Sequence, residues 1–256
     1  MKLSPSQQLI RIYHRILDRL GLPVDYRHFE FEAQKASLPW SEIADLRIAA
    51  LSRVLDVSAE EVAGFVEEAE EIEAETDHRV DPDGFTGVGK PMGRTDRITL
   101  YAATRVVRPR IAVETGTAAG AAALYLLTAM ERNGQGELHS IDISQDRANV
   151  GRLVPESLRH RIQFYAGDSL QVLGDALADL ECVDLFLHDS RHRYRHMMAE
   201  FDWALTHTCG RSLLCSHDVL MGNAWSHFTR RPSVLRSAVV KNFGFCVIQG
   251  NDPNNP

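Results

Sequence analysis

The chain has 256 residues, of which 44% are apolar and 25% are charged, and its formal net charge is −7. This balance predicts a globular domain with a full hydrophobic core and argues against a disordered or membrane-spanning protein. Since the sequence carries no basic stripe with interleaved aromatic residues, a nucleic-acid partner is not expected.

The N-terminal part of the chain carries apolar residues at helical spacing. One stripe runs through residues 9–20 and a second through residues 43–55. Ser58 and Glu61 form a capping box ahead of a third amphipathic pattern, whose glutamates are read as its solvated face. We therefore predict a helical appendage over residues 1–84. Its apolar stripes could dock on their own sheet or on a second copy, and a homodimer is preferred on base rates alone.

Glycine and proline are frequent in residues 85–96, which follow the appendage. This composition is typical of a loop, and it fits a lid over the active site as well as a plain linker. Elsewhere, the four cysteines form no C-x-x-C pair and the N-terminus lacks a secretory pattern. We therefore expect reduced thiols and a cytoplasmic location, with no membrane partner.

Strands and helices are predicted to alternate within residues 97–256. After a helix over residues 97–106, strands are predicted over residues 111–113, 137–143, 162–165, 183–188 and 212–215. The spacing leaves room for crossover helices, which predicts an α/β fold with a doubly wound, mostly parallel sheet. A helix near residues 225–236 and a strand within residues 243–249 would add an edge to that sheet.

An acidic residue lies at or just after the end of each strand in this first series. Ligands of doubly wound sheets bind beyond the carboxyl ends of the strands, so these side chains are candidates for one shared site. They are Glu114, Asp142, Asp168, Asp189 and Asp218.

The turn after the first strand helps to choose between cofactors. Dinucleotide-binding turns have glycines at the first, third and sixth positions, whereas this turn has Gly116 and Gly120 and is preceded by Glu114. An acid beside the turn disfavours an anionic pyrophosphate and suits a cationic ligand. A nicotinamide-dependent oxidoreductase is therefore the competing enzyme class, and a noncatalytic module with the same fold is a third alternative.

Four motifs together resemble the class I S-adenosylmethionine-dependent methyltransferases over about residues 97–249. They are Glu114-x-Gly116-x-x-x-Gly120, Ser140-Ile-Asp142, Gly167-Asp168 and Leu187-His188-Asp189. The resemblance implies a seven-stranded Rossmann-like sheet and S-adenosylmethionine as cofactor. The cofactor-binding residues that it implies are Glu114, Gly116, Thr117, Gly120, Asp142, Ile143, Gly167, Asp168, Ser169 and Asp189.

Roles for these residues follow from the same resemblance. Glu114 and the glycine turn would hold the methionine part, and Asp142 would accept both ribose hydroxyls. Asp168 with Ser169 would contact the adenine edge. The alternative for Asp142 and Asp168 is a turn-forming or helix-capping aspartate.

Asp189-Ser-Arg-His192 is followed, 28 positions after Asp189, by His217-Asp218. This pattern is similar to metal-dependent O-methyltransferases of macrolide sugars and to related cephalosporin-modifying proteins, which have glutamate where this chain has His217. The resemblance implies Asp189, His217 and Asp218 as ligands of a divalent metal and His192 as the catalytic base. An imidazole suits manganese better than magnesium, so the metal is left open, and His192 or His217 could act without one.

These features predict O-methylation of a small-molecule hydroxyl, sugar-like or from natural-product biosynthesis, with N- or C-methylation as the alternative. Three other histidines have simpler interpretations. His188 is expected to be a satisfied core histidine, and His196 a solvated or stacked one on the same helix face as His192. His227 is a candidate for the acceptor pocket.

Overall fold

The computed structural model describes residues 40–76 and 92–250, and it describes residues 40–42 and 74–76 by their backbone alone. The helix predicted over residues 9–20, residues 85–91 of the predicted loop and the tail beyond residue 250 lie outside these residues. The choice between lid and linker therefore stays a prediction. Within the described ranges, no helix is long and apolar enough to cross a membrane.

Two helices of the predicted appendage are present. Helix α1 spans Trp40–Leu55 and helix α2 spans Ala59–Thr76. The backbone N–H of Glu61 donates to Ser58 Oγ over 3.1 Å, as the capping-box pattern predicted. Buried apolar residues of both helices join the core on one face of the sheet, so these two helices pack directly on the domain.

Helix α3 spans Arg94–Val107, which starts three residues earlier than predicted. The carbonyl of Gly93 accepts hydrogen bonds from the N–H groups of Asp96 and Arg97, so the first helical turn already includes the end of the predicted loop. Arg97 also forms a buried ion pair with Glu73 over 2.5 Å, which links α3 to α2.

The described residues form one seven-stranded sheet with helices on both faces. Its strands are β1 (Ile111–Thr115), β2 (Glu137–Asp142), β3 (Ile162–Ala166), β4 (Leu185–His188), β5 (Arg211–Ser216), β6 (Val234–Val240) and β7 (Phe243–Gln249). The strand order is β3-β2-β1-β4-β5-β7-β6. Strand β7 lies between β5 and β6 and runs antiparallel to both, while the other neighbouring pairs of this sheet are parallel. The predicted fold class, doubly wound and mostly parallel, is confirmed.

The remaining helices lie between the strands. They are α4 (Ala121–Asn133), α5 (Ser169–Asp175), α6 (Tyr194–Thr206) and α7 (Ala224–Phe228), with short 3₁₀ turns at Glu156–Arg161 and Val219–Met221. Side chains of successive strand residues point to opposite faces. Ala112 of β1 therefore joins the core with α4, while Val113 joins the core with α6 and α7.

The C-terminal edge differs from its prediction. The helix predicted over residues 225–236 ends at Phe228, and Val234–Val240 forms strand β6 instead. Pro232 lacks the backbone N–H that a continuing helix needs, and several valines favour an extended chain. The strand predicted over residues 243–249 is present as β7.

The expectation of four reduced cysteines was wrong. Cys182 and Cys209 form a disulfide, with 4.6 Å between their Cα atoms, while Cys215 and Cys246 are free and buried. The two bonded cysteines are 27 residues apart in sequence. Sequence spacing alone therefore does not indicate that the segment before β4 and the segment after α6 lie next to each other. A backbone hydrogen bond from the N–H of Val183 to the carbonyl of His207 also joins those segments.

Candidate active site

A cleft of about 900 Å³ lies where the strand order reverses between β1 and β4. In doubly wound sheets this reversal opens a crevice beyond the carboxyl ends of the strands. Most of the predicted site residues line this cleft: Gly116, Asp142, Ile143, Gly167, Asp168, Ser169, Asp189, His192, His217 and Asp218. Glu114, Thr117 and Gly120 are not among its lining residues.

The two glycines of the first turn are required by packing. Gly116 has φ +89°, and a Cβ atom there would lie 2.1 Å from the carbonyl oxygen of Asp189. Gly120 also has φ +89°, and its Cβ would lie 2.9 Å from the Cα of Gly151. A Cβ atom at either position would therefore collide with main-chain atoms of a neighbouring segment. The turn can pack against the residue that follows β4 only because position 116 is a glycine.

Glu114 lies behind the cleft, whereas the resemblance implied contact with the cofactor. Its side chain is fully buried, and Ser140 Oγ donates to its Oε2 over 2.6 Å. Thr117 Oγ1 lies 2.6 Å from Ser140 Oγ and continues this chain of hydroxyls. Burial raises the pKa of Glu114 to about 8. Glu114 therefore supports the turn from below and is largely protonated near neutral pH.

Asp142 fixes the turn and borders the cleft. Its Oδ2 accepts the N–H of Ala118 over 2.7 Å and its Oδ1 accepts the N–H of Ser144 over 2.8 Å. Each carboxylate oxygen has a second lone pair for a further donor. Beside it, Ile143 is 75% exposed and offers an apolar surface.

Asp168 and Ser169 have structural partners of their own. Asp168 caps helix α5, because its Oδ1 accepts the N–H of Leu170 over 3.0 Å. This is the helix-capping alternative, although Asp168 also lines the cleft. Ser169 Oγ donates to the carboxylate of Glu200, and Ser169 also lines the cleft, so its predicted contact with the adenine edge stays a prediction.

Four predicted residues form one acid–histidine cluster: Asp189, His192, His217 and Asp218. His217 Nδ1 lies 2.9 Å from Asp189 Oδ1. His192 Nε2 lies 3.5 Å from Asp218 Oδ2 and 3.8 Å from Asp189 Oδ1. Strands β4 and β5 thus bring together two segments that are distant in sequence.

Asp96 also belongs to this cluster, and the sequence analysis missed it. It lies in the first turn of α3, with its Oδ2 at 3.4 Å from His217 Nε2. Its Oδ1 is buried and accepts no hydrogen bond from the described residues. Acidic residues are common in the first turn of a helix, so the residue type alone does not mark Asp96 as a site residue. Its position at the end of the glycine-rich segment was the one sequence feature that could have pointed to the site.

The two histidines of the cluster have opposite pKa shifts. Burial lowers the pKa of His217, but hydrogen bonds to Asp189 and Asp96 and the charge of Asp218 outweigh it and raise that pKa to about 10. Burial and the neighbouring His188 lower the pKa of His192. Near neutral pH, His217 therefore carries a proton that its carboxylate neighbours stabilise, while the lowered pKa of His192 leaves that ring neutral.

The cluster fits a divalent cation by its donor chemistry. One ligand atom each from Asp189, His192 and His217 lies within 4.8 Å of the others. Asp218 falls outside this group, although it was predicted as a ligand and His192 was not. Carboxylate oxygens with imidazole nitrogens suit manganese, iron or zinc better than magnesium.

Glu200 organises a buried network behind the cluster, and the sequence analysis missed it too. It is fully buried on α6, and His188 Nδ1 lies 2.5 Å from its Oε2. Burial alone raises the pKa of Glu200, but hydrogen bonds from His188 and His196 outweigh it and hold that pKa below its usual range. His188 is a satisfied core histidine, as predicted.

The expectation for His196 was wrong. Its side chain is only 10% exposed, and its Nε2 lies within hydrogen-bonding distance, 2.9 Å, of Glu200 Oε1. It also does not share a helix face with His192, because α6 begins at Tyr194. His227, the candidate for the acceptor pocket, contacts the Tyr194 hydroxyl over 2.9 Å and is not among the residues that line the cleft.

Comparison with known proteins agrees with this geometry. Residues 113–219 match a family model described as a methyltransferase domain. The range starts in β1 and ends just after the His217-Asp218 pair. It therefore includes Asp189, His192, His217 and Asp218 but not Asp96. No curated protein matches the chain significantly.

Several solved structures have the same fold. The O-methyltransferase from Bacillus cereus in complex with SAH is 17% identical, with 73% of this chain and 91% of that chain covered and a TM-score of 0.52. The O-methyltransferase TomG from Streptomyces achromogenes, involved in tomaymycin synthesis and bound to SAM, is 18% identical, with 73% and 90% covered and a TM-score of 0.52.

A third structure, the SAH-bound methyltransferase PaMTH1 from Podospora anserina, is 13% identical, with 75% of this chain and 88% of that chain covered and a TM-score of 0.53. Similarity at this level of identity establishes the fold. This chain therefore has the fold of these methyltransferase structures, and its residues 113–219 are similar to the methyltransferase-domain family.

Proposed function

We propose that this protein transfers a methyl group from S-adenosylmethionine to a hydroxyl group of a small molecule. One observation carries the proposal: a single cleft contains both Asp142 and the acid–histidine cluster. Asp142 ends β2 and His217 follows β5, three strand positions away in the sheet. At about 4.8 Å per strand the two sites lie roughly 14 Å apart, enough room for a nucleoside with its methyl group near the cluster.

The residues at the β2 and β3 end fit the nucleoside. Asp142 has free lone pairs for two ribose hydroxyls, and Ile143 offers an apolar surface to a base. Asp168 can accept from an exocyclic amine with the oxygen that does not cap α5. Acidic side chains along the cleft favour a cationic sulfonium over a pyrophosphate, which supports a methyl donor over a nicotinamide dinucleotide.

The residues at the β4 and β5 end fit proton removal. S-adenosylmethionine, when bound, supplies an electrophilic methyl group for in-line displacement. An aliphatic hydroxyl is a poor nucleophile near neutral pH, so the enzyme must position it and take its proton. His192 lines the cleft and has a lowered pKa, so it is free to accept that proton. A base in this position contributes about 10²–10⁴-fold in rate.

A divalent cation at the cluster is the second part of the proposal. Asp189 and His217, with Asp218 as the third ligand, would hold the ion and leave His192 as the base. Such an ion lowers the pKa of a bound hydroxyl as it does that of water. His217 in place of the glutamate of the similar enzymes favours manganese over magnesium.

Oxygen is preferred over nitrogen or carbon as the acceptor because two of the structurally similar proteins are O-methyltransferases. TomG is described as involved in tomaymycin synthesis, which supports a natural-product acceptor here. A cytoplasmic location and a homodimer through the N-terminal stripes stay predictions.

A methyl-transfer assay tests the proposal. Protein, labelled S-adenosylmethionine and manganese are incubated with panels of sugar-like and aromatic hydroxyl compounds, and each panel is matched by amine analogues. We expect label in hydroxyl compounds, at an ether position by mass spectrometry. Label in the amines alone would replace this proposal with N-methylation.

A further inference from the structure

Two basic side chains line the cleft beside the acid–histidine cluster. Arg191 lies in the loop between Asp189 and His192, and Lys241 lies in the turn between β6 and β7. In the strand order β7 follows β5, whereas Asp142 ends β2 on the other side of β1. Lys241 therefore lies beyond the cluster as seen from the nucleoside end of the cleft, on the side left for the acceptor molecule.

Arg191 forms no ion pair or side-chain hydrogen bond within the part of the chain that the structure describes. The carboxylates beside it have other partners. Asp189 Oδ1 lies 2.9 Å from His217 Nδ1, and Asp218 accepts a hydrogen bond from the side chain of Asn242. A guanidinium group presents a planar set of donors that matches the oxygens of a carboxylate or phosphate. The exposed Arg191 can therefore offer these donors to an anion in the cleft.

Lys241 has a backbone conformation that favours glycine. Val240 pairs with Phe243, so the turn consists of Lys241 and Asn242 alone, and Lys241 has φ +54°. Glycine adopts this conformation without steric cost, and it is a preferred residue of such two-residue turns. Strained residues are concentrated at functional sites. Since the turn itself would be more stable with glycine, the lysine indicates a role for its ammonium group.

Asn242 holds this turn against the loop that carries Asp218. Its side-chain amide donates to Asp218 Oδ1, and its side-chain oxygen accepts the N–H of Leu220 over 3.0 Å. Its backbone carbonyl accepts the N–H of Val219 over 3.2 Å. Because these contacts fix the turn at the end of β5, the half-buried Lys241 is a fixed part of the cleft wall beside the cluster.

We propose that Arg191 and Lys241 bind a carboxylate or phosphate group of the acceptor, so that the substrate is an anionic hydroxyl compound. Its role as acceptor rests on the proposed function, whereas the anion site itself does not. Charge-assisted hydrogen bonds to an oxyanion are strong and directional, so they would orient the acceptor with its hydroxyl toward His192.

The carboxylate of S-adenosylmethionine is the other anion in this reaction. It belongs to the methionine part, which the resemblance places at the turn after β1. Lys241 follows β6, and two strands, β4 and β5, separate β1 from β7 in the sheet. This separation favours the acceptor over the methyl donor as the ligand of Lys241.

Matched acceptors test the proposal in the methyl-transfer assay. Carboxylic acids are paired with their amides and sugar phosphates with the free sugars, using full-length protein and labelled S-adenosylmethionine. We expect kcat/KM to be higher for the anionic member of each labelled pair. Equal or higher kcat/KM for the neutral members would overturn the proposal.

Variants test the two residues. In Lys241→Gln the ratio of kcat/KM between anionic and neutral acceptors should fall about tenfold, because one charged hydrogen bond is lost. Lys241→Gly should lose the same preference without a lower Tm, since glycine relieves the strain of the turn. Arg193→Gln is the matched control, because Arg193 is exposed in the same loop and is not among the residues that line the cleft. An unchanged ratio in both Lys241 variants, or a raised Kd for S-adenosylmethionine in its place, would contradict the assignment.

A binding experiment needs no turnover. Chelator-treated, ¹⁵N-labelled protein saturated with S-adenosylhomocysteine is titrated with benzoate and with inorganic phosphate. The Nε–H signal of Arg191, assigned by its loss in Arg191→Gln, should shift saturably with at least one probe, and the probe that acts identifies the anion. The shift should weaken in Lys241→Gln and be absent at Arg193. No shift at Arg191, or an equal shift at Arg193, would overturn the proposal.

The two proposals fail in different ways. Methyl transfer to neutral hydroxyl compounds, without anion binding at Arg191, would reject the anionic substrate and leave the proposed function standing. Saturable binding of benzoate or phosphate at Arg191 in a protein that does not bind S-adenosylmethionine would reject the proposed function and leave the anion site standing.

Discussion

His217 Nδ1 lies 2.9 Å from Asp189 Oδ1, although the two residues are 28 positions apart in sequence. The register of the sheet explains this contact. Strands β4 and β5 are parallel neighbours with His188 opposite Ser216, so the residues that follow, Asp189 and His217, leave the sheet side by side. Two loops that each carry an acid and a histidine thereby form one cluster in the lining of the cleft.

Asp142 should carry much of the affinity for the methyl donor. Asp142→Asn removes the charge but keeps one oxygen acceptor, so the turn has a partner while the ribose hydroxyls lose a charged one. We expect Kd for S-adenosylmethionine to rise about 10–100-fold in calorimetry. Asp146→Asn, four residues on in an exposed turn, is the control and should bind as the wild type does. Equal affinity in Asp142→Asn would remove the ribose assignment.

His192 should act in the chemical step and not in cofactor binding. His192→Gln should lower kcat about 10²–10⁴-fold, because the acceptor proton then has no positioned base. The Kd for S-adenosylmethionine should stay unchanged. Stopped assays with an identified acceptor measure the first quantity and calorimetry the second. A variant with full turnover would show that the base lies elsewhere.

Metal dependence follows from the donor set of the cluster. Chelator-treated protein should lose methyl transfer and regain more of it with manganese than with magnesium. His217→Glu replaces an imidazole by a hard oxygen donor, so its preference should move toward magnesium. Asp218→Asn and His192→Gln, compared for manganese affinity, identify the third ligand. Undiminished turnover after chelation would exclude the metal role of Asp189, His217 and Asp218.

The buried Glu114 predicts a pH dependence of folding stability. Its pKa is raised by burial from 4.5 to about 8, so the folded protein binds a proton there that the unfolded chain releases. The free energy of unfolding should therefore fall as pH rises from 4.5 to about 8, by up to about 1.4 kcal/mol per pH unit from this group. The variant Glu114→Gln has no titrating carboxyl group at this position, so its stability should lack this pH dependence.

Urea titrations of cofactor-free protein across this pH range provide the measurement. The difference in stability between wild type and Glu114→Gln should shift in favour of the variant as pH rises. A constant difference would mean that Glu114 titrates alike in both states.

Much of the fold could be predicted from the sequence because apolar periodicity and turn-forming residues are local features. The strands from Ile111 to Ser216 were placed to within about two residues, since each is a short apolar run that ends in a polar turn. Strand β6 was missed because Val234–Val240 is half-exposed and mixes polar with apolar residues, and its pairing with β7 is a nonlocal fact.

Site residues that follow strands could be predicted from the sequence, whereas site residues on helices could not. Asp189 and His217 follow strands, and their meeting is a consequence of parallel register. Asp96 and Glu200 lie on helices, and a single acid on a helix gives no sign of whether it faces solvent or a histidine. The hydrogen bond of the Ser169 hydroxyl to Glu200 was hidden for the same reason, because its partner lies on a helix.

Calorimetry with S-adenosylmethionine and with NADH, each with and without manganese, tests the central claim most directly. If the strand-end carboxylates select a sulfonium nucleoside, S-adenosylmethionine should bind at a single site and NADH should give no heat. Binding of NADH with no response to S-adenosylmethionine would contradict the account and indicate a dinucleotide in the cleft.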